Sequence, residues 1–104
     1  MKTPRRRQDL LSTMVDEDLL LLDRNRGLIH RLNHTAGFIW NRCDGAAEIA
    51  DVATEMANAF DIDSVSAERD VTAVVERLTS VGVFEQQGSR VGATLERKNR
   101  EEQS

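Results

Sequence analysis

Cysteine, histidine and proline are scarce in this sequence, and no long apolar run occurs in it. The single cysteine, Cys43, excludes an internal disulfide, and with only His30 and His34 available no cluster of metal ligands stands out. We therefore expect no metal and no other cofactor. The longest apolar run, residues 19–22, is far too short to cross a bilayer, and the N-terminus lacks the apolar segment of a secretion signal. A cytoplasmic protein outside the membrane is the expectation.

Length and charge further limit the fold classes and the partners that fit this sequence. At 104 residues the chain forms one domain, and 39% apolar with 31% charged residues is typical of a soluble globular protein with some disordered flank. Residues 8–84 hold 6 basic and 14 acidic side chains, a formal balance of −8, whereas the remaining basic residues lie near the two ends. A folded surface this acidic repels phosphate backbones and can attract basic segments.

Three short extended segments follow one another in the first third of the chain. Alternating residues at 10–15 predict a first strand, and the polar turn at 16–18 separates it from a second strand at 19–22. A turn at 23–27 then leads to a third strand, Leu28–Leu32. We expect an antiparallel meander with its last strand at an edge.

The third strand runs directly into a helix. Asn33 is placed to cap it, because its side-chain oxygen can accept from N–H groups left free in the first turn. Ala36, Ile39, Trp40 and Cys43 recur at helical spacing, so we expect them to form one buried stripe. The residues that end this helix are Asp44-Gly45.

Two more amphipathic segments predict a second helix at 46–60 and a third at 64–81. Ser64 or Ser66 can cap the third helix, and Gly82 ends it. The expected buried stripe of this helix consists of Val71, Val74, Val75, Leu78 and Val81. The complete order is that of a small α+β domain resembling a winged helix, a three-stranded antiparallel sheet followed by three helices.

The two ends of the chain lack apolar periodicity. Residues 1–8 are predicted to be a flexible basic arm, residues 9–84 the folded domain, and residues 85–104 a mostly disordered tail.

One spacing joins the third strand, its cap, the first helix and the stop residues, and this spacing resembles the PqqD-like family. That family consists of small peptide chaperones used in making ribosomally synthesised, post-translationally modified peptides. The resemblance extends with decreasing strength over about residues 10–84. At His34 many relatives have proline, which would only stiffen the first helical turn. The matching pattern is Gly27-x-Ile29-x-x-Leu32-Asn33-x-Thr35-Ala36-x-x-Ile39-Trp40, followed by Asp44-Gly45.

The resemblance implies a function and a site. In the family, the leader segment of a precursor peptide adds itself as a strand beside the third strand and against the third helix. It is thereby presented to a modifying enzyme such as a radical enzyme, a protease or a cyclase. An open edge also offers a surface through which a homodimer can form by strand pairing or exchange. The implied strand positions are Leu28, Ile29, His30, Arg31 and Leu32, and the implied helix positions are Arg69, Asp70, Ala73, Val74 and Arg77.

Two other classes of protein compete with this interpretation. A winged helix can bind DNA, but the third helix offers only Arg69 and Arg77, offset by three acidic side chains, and the folded body is acidic. An adaptor that binds some other protein also fits the pattern. An enzyme is disfavoured, because no nucleophile with a base, phosphate-binding glycine loop or metal set is visible in the sequence.

Overall fold

This computed structural model describes residues 1–85. After an N-terminal segment, the chain forms three antiparallel strands and then three helices. The α+β class and the element order predicted from the sequence are confirmed. The predicted tail lies, apart from Glu85, outside the described residues. Within them no helix is both long and apolar enough to cross a membrane. The elements are β1 (Leu11–Val15), β2 (Asp18–Asp23), β3 (Leu28–Leu32), α1 (His34–Asn41), α2 (Ile49–Phe60) and α3 (Ser64–Ser80).

The sheet has the order β1-β2-β3, so both outer strands are edges. Its first turn consists of two residues, and Asp16 takes a positive φ of 58° there. A hairpin this short is closed by a hydrogen-bonded pair, here Val15 and Asp18. Because hydrogen bonding alternates along a strand, even-numbered residues of β2 bond to β1 and odd-numbered residues bond to β3.

The helix boundaries follow from their caps. Asn33 caps α1 as predicted, its side chain accepting from the Ala36 N–H at 2.9 Å. The cap of α3 is Asp63, which accepts from the Ser66 N–H, and not Ser64 or Ser66, so that expectation is wrong. Both oxygens of this carboxylate accept hydrogen bonds from Ser66, and its negative charge is favourable at the positive helix N-terminus.

The second helix begins at Ile49, three residues later than the sequence pattern indicates. The Asp44 carboxylate accepts from the N–H groups of Ala46 and Ala47, which holds this segment in a turn. These two bonds lower the pKa of Asp44.

The core lies between the inner face of the sheet and the helices. Leu21, Ile39 and Val71 are fully buried at its centre. The predicted stripe of Ala36, Ile39, Trp40 and Cys43 is buried as expected, although α1 ends at Asn41 and not at Asp44-Gly45, so that Cys43 follows the helix. The Trp40 indole N–H donates to the Val83 carbonyl at 3.3 Å. Burial of such side chains supplies most of the free energy that holds a domain of this size together.

The N-terminal segment, residues 1–7, packs on the body, which differs from the flexible arm predicted from the sequence. Thr3 is buried and its N–H donates to the Ala47 carbonyl, while the Arg6 N–H donates to Cys43. The Arg6 guanidinium also lies 5.6 Å from the centre of the Trp40 ring. The segment is held by backbone hydrogen bonds and by one arginine over an aromatic ring. Neither kind of contact requires apolar periodicity in the sequence.

A buried ion pair attaches the end of this segment to the sheet. The Asp23 carboxylate is 1% exposed and lies 2.8 Å from the Arg7 guanidinium, which also binds Asp9 at 2.7 Å. The hydrogen bond from Arg7 keeps the pKa of Asp23 below its usual value, and a second from the Arg26 N–H acts in the same direction. The pKa of Arg7 is raised by the same two carboxylates.

Candidate functional site

Two backbone positions of β3 face its open edge. Leu28, His30 and Leu32 stand opposite the odd-numbered residues of β2, so their N–H and C=O groups bond back into the sheet. Those of Ile29 and Arg31 point the other way and find no backbone partner within residues 1–85. This edge can therefore accept an additional strand.

A groove runs between this edge and the C-terminal half of α3. It encloses about 590 Å³. One wall is the strand itself, the opposite wall is formed by Arg77 and Val81, and Leu32 and Leu78 lie between them as buried residues. An apolar base with polar groups above it suits a peptide whose side chains alternate between the two. The lining residues are Asp18, Ile29, His30, Arg31, Leu32, Asn33, Ala36, Arg77, Leu78 and Val81.

The polar groups of the groove differ in whether they already have partners. The Arg31 guanidinium binds the Asp18 carboxylate at 2.6 Å across the sheet. Arg77 has no carboxylate within ion-pair distance among residues 1–85, so its charge is available to a ligand. Of these groups, Arg77 is therefore the one open to an acidic side chain.

His30 occupies the inner side of the strand and is half-buried, as its position between two leucines predicts. Its Nε2 atom is buried and has no hydrogen-bond partner in the described part of the chain. An unpaired buried nitrogen costs free energy unless a water or a ligand group satisfies it. Polar ligand groups that reach the base of the groove could do so.

The structure brings some of the predicted site residues together and separates others. Four strand positions, 29–32, line the groove with Arg77, while Leu28 lies just beyond its end. On α3, Asp70 is exposed and Val74 is 8% exposed, both on the helix side that carries Arg77. Neither lines the groove itself; they lie on the same side of α3 as Arg77, nearer the helix N-terminus.

Arg69 and Ala73 line a different surface. They belong to a shallow depression on α3 together with Val65, Glu68, Thr72 and Glu76. The side of α3 that faces β3 is thus centred nearer the helix C-terminus than the resemblance implies.

Sequence reasoning did not assign five of the groove residues to the site. Asp18 was placed in the polar turn between the first two strands. Leu78 and Val81 were placed on the buried stripe of α3, although Val81 is 39% exposed. Asn33 and Ala36 were interpreted only as a cap and a core residue. A lining position shares the apolar character of the core, so its spacing gives no separate signal. Within residues 1–85 no group of three or more metal-binding side chains occurs.

Comparison with known proteins gives matches to one family and to solved structures. Residues 18–83 match the profile of coenzyme PQQ synthesis protein D (PqqD). The lasso peptide synthetase B1 complexed with the leader peptide is 30% identical, with a TM-score of 0.68 over 79% of this chain and 96% of that one. TbiB1 in complex with the TbiA(beta) leader peptide has the same TM-score at 16% identity, covering 82% of this chain and 99% of that one. No curated protein sequence matches significantly.

Proposed function

Because this chain belongs to the PqqD family, we propose that it binds the leader segment of a ribosomally made precursor peptide and presents it to a modifying enzyme. The observation that carries the proposal is the open edge of β3 beside a groove with an apolar base. The similar lasso peptide synthetase B1 was solved with a leader peptide, which supports the same ligand class here.

Binding proceeds by strand addition. The leader pairs with the outward N–H and C=O groups of Ile29 and Arg31 and becomes a fourth strand of the sheet. Backbone pairing of this kind supplies affinity with little regard to sequence. It also gives the peptide a fixed direction and register relative to the groove.

Selectivity comes from the side chains of the groove. Every second peptide side chain turns toward Leu32, Leu78 and Val81, where an apolar residue buries its surface. Arg77 favours an acidic residue next to such an anchor, since the guanidinium has no partner of its own among residues 1–85. Asp70 and Val74 extend these contacts for a longer peptide.

The protein acts by holding the peptide, and the chemistry belongs to its partner. The candidate partners are a radical enzyme, a protease or a cyclase. Strand addition holds only the leader, so the segment to be modified remains free to enter the active site of that enzyme.

An NMR titration tests this function. The neighbouring open reading frames are first searched for a short precursor peptide. The probe is a synthetic peptide covering the leader of that precursor, added to the ¹⁵N-labelled full chain. We expect amide shifts to concentrate on residues 28–32 and on α3 from Asp70 to Val81. Shifts confined to α2, or equal shifts with a scrambled peptide, would contradict the proposal.

Two pairs of variants with matched controls separate backbone pairing from groove contacts. Ile29→Pro removes an outward N–H and should weaken binding at least tenfold, whereas Ser12→Pro does the same at the opposite edge and should not. Arg77→Glu reverses a charge in the groove, and Arg69→Glu reverses one in the separate depression on the same helix. Binding that Arg69→Glu weakens as much as Arg77→Glu would place the peptide elsewhere.

A further inference from the structure

The other edge strand, β1, is unusually exposed. All five of its residues are exposed, including Leu11 at 49%, Met14 at 57% and Val15 at 41%. The strand carries no charge, no proline and no bulge, which are the common features that protect an edge from pairing. An apolar, uncharged edge of this kind is suited to receive another strand.

The backbone groups that β1 offers are determined by the register of the hairpin. Leu11, Thr13 and Val15 stand opposite even-numbered residues of β2 and are bonded to them. The N–H and C=O groups of Ser12 and Met14 therefore point outward, and no backbone group among residues 1–85 pairs with them. These four groups would remain for a partner strand.

We propose that β1 pairs with β1 of a second copy, antiparallel and with the two-fold axis at Thr13. In this register Ser12 of each copy faces Met14 of the other, so each pair exchanges two hydrogen bonds. The same register sets Leu11 opposite Val15 on the outer face and buries both apolar side chains. One strand thus complements itself over its whole length, as an isologous interface requires.

Charges beyond the strand ends also favour a second copy of this chain as the partner of β1. The turn after β1 carries Asp16 and Glu17. The opposite end of the sheet is net positive, because it carries three arginines against two aspartates: Arg7, Arg24, Arg26, Asp9 and Asp23. The two-fold axis brings the acidic end of each copy toward the basic end of the other. An attraction between such exposed charges weakens as salt is added.

The dimer leaves the leader-binding edges free. β1 and β3 lie on opposite sides of β2, so pairing through β1 makes a six-stranded sheet with one β3 at each outer edge. Because only five residues pair, the interface is small and we expect a weak dimer whose population rises with concentration.

Sedimentation of the full chain measures this association without any peptide. We expect the mean mass to rise toward that of a dimer with concentration, and the rise to diminish in high salt. Ser12→Pro removes an outward N–H of β1 and should abolish it, while Ile29→Pro should not. A mass that stays monomeric up to about 1 mM overturns the proposal, as does a dimer that Ile29→Pro abolishes and Ser12→Pro does not.

A cysteine at the two-fold axis tests the register independently of proline. Directly opposite residues of a pair that is not hydrogen-bonded lie about 4.5 Å apart at their Cα atoms, which a disulfide can span. Thr13→Cys should therefore form a covalent dimer under mild oxidation, faster than the exposed control Ile29→Cys. The native Cys43 does not interfere, because it is fully buried and burial raises the pKa of its thiol to about 12. Equal rates for the two variants would exclude this interface.

Discussion

At the scale of single residues, the buried carboxylate of Asp23 is the group whose ionised form depends most on its neighbours. A charged group in this position is stable only while its partners remain in place, since removing one partner leaves an uncompensated charge. Asp23 meets Arg7, Arg26 and the Arg26 N–H there, so it connects the N-terminal segment, the sheet and the turn before β3. Its protonation state therefore affects three parts of the fold.

Stability should fall in acid because of this group. The pKa of Asp23 is lowered in the folded state, first by the hydrogen bond from Arg7, so its contribution is complete above the unfolded value of about 3.9 and is lost as pH falls through the folded value. We expect the melting temperature to decrease below about pH 4. In Asp23→Asn this contribution should be missing already at neutral pH, and the acid-dependent decrease should be smaller.

The control for this measurement is Asp61→Asn, which changes an exposed carboxylate for which the structure gives no ion pair within residues 1–85. Its melting curve should follow the parent chain from neutral pH into acid. If Asp23→Asn and the parent lose stability in parallel, the ion pair with Arg7 contributes nothing measurable.

At the scale of elements, the N-terminal segment behaves as part of the domain. It bonds to the turn before α2 through Thr3 and Arg6, and the Glu85 N–H donates to the Arg5 carbonyl at 2.7 Å. It therefore connects the region around α1 and α2 with the chain that follows α3.

Removal of residues 1–7 should lower the melting temperature clearly. The deletion exposes the ring of Trp40 and leaves Asp23 buried without its main partner. Thermal unfolding followed by circular dichroism measures the change. The comparison is a deletion of residues 88–104, for which the sequence predicts intact folding. An unchanged melting temperature after removal of residues 1–7 would mean that this segment does not stay packed on the domain in solution.

The contrast between these elements shows what local sequence patterns can predict. The third strand and the cap at Asn33 depend on neighbours a few residues away, so their spacing was sufficient. The contacts of Thr3 and Arg6 lie about 40 residues further along the chain, and no periodicity records them. The groove residues on α3 were hard to predict for a similar reason. Packing, and not the helix pattern alone, determines which side of α3 faces β3.

At the scale of the whole molecule, charge separates this protein from winged helices that bind DNA. The body carries −8, and α3 holds two arginines against Glu68, Asp70 and Glu76. A helix with this balance offers few contacts to phosphates, and the surrounding surface repels them.

We expect no specific DNA binding at physiological salt. Fluorescence anisotropy with random and genomic duplexes should show at most weak association that disappears as salt is raised. Salt-resistant binding to one defined duplex would contradict this expectation. The variant Arg77→Glu would then have to weaken that binding if α3 were the recognition helix.

The position of the lone indole decides what intrinsic fluorescence can report. Trp40 is buried beneath Arg6 and bonded to Val83, and it does not line the groove that we propose binds the leader. Its emission should respond when the N-terminal segment detaches and should change little when a peptide occupies the groove. A peptide titration read by this fluorophore would miss binding, so the label has to be placed on the peptide.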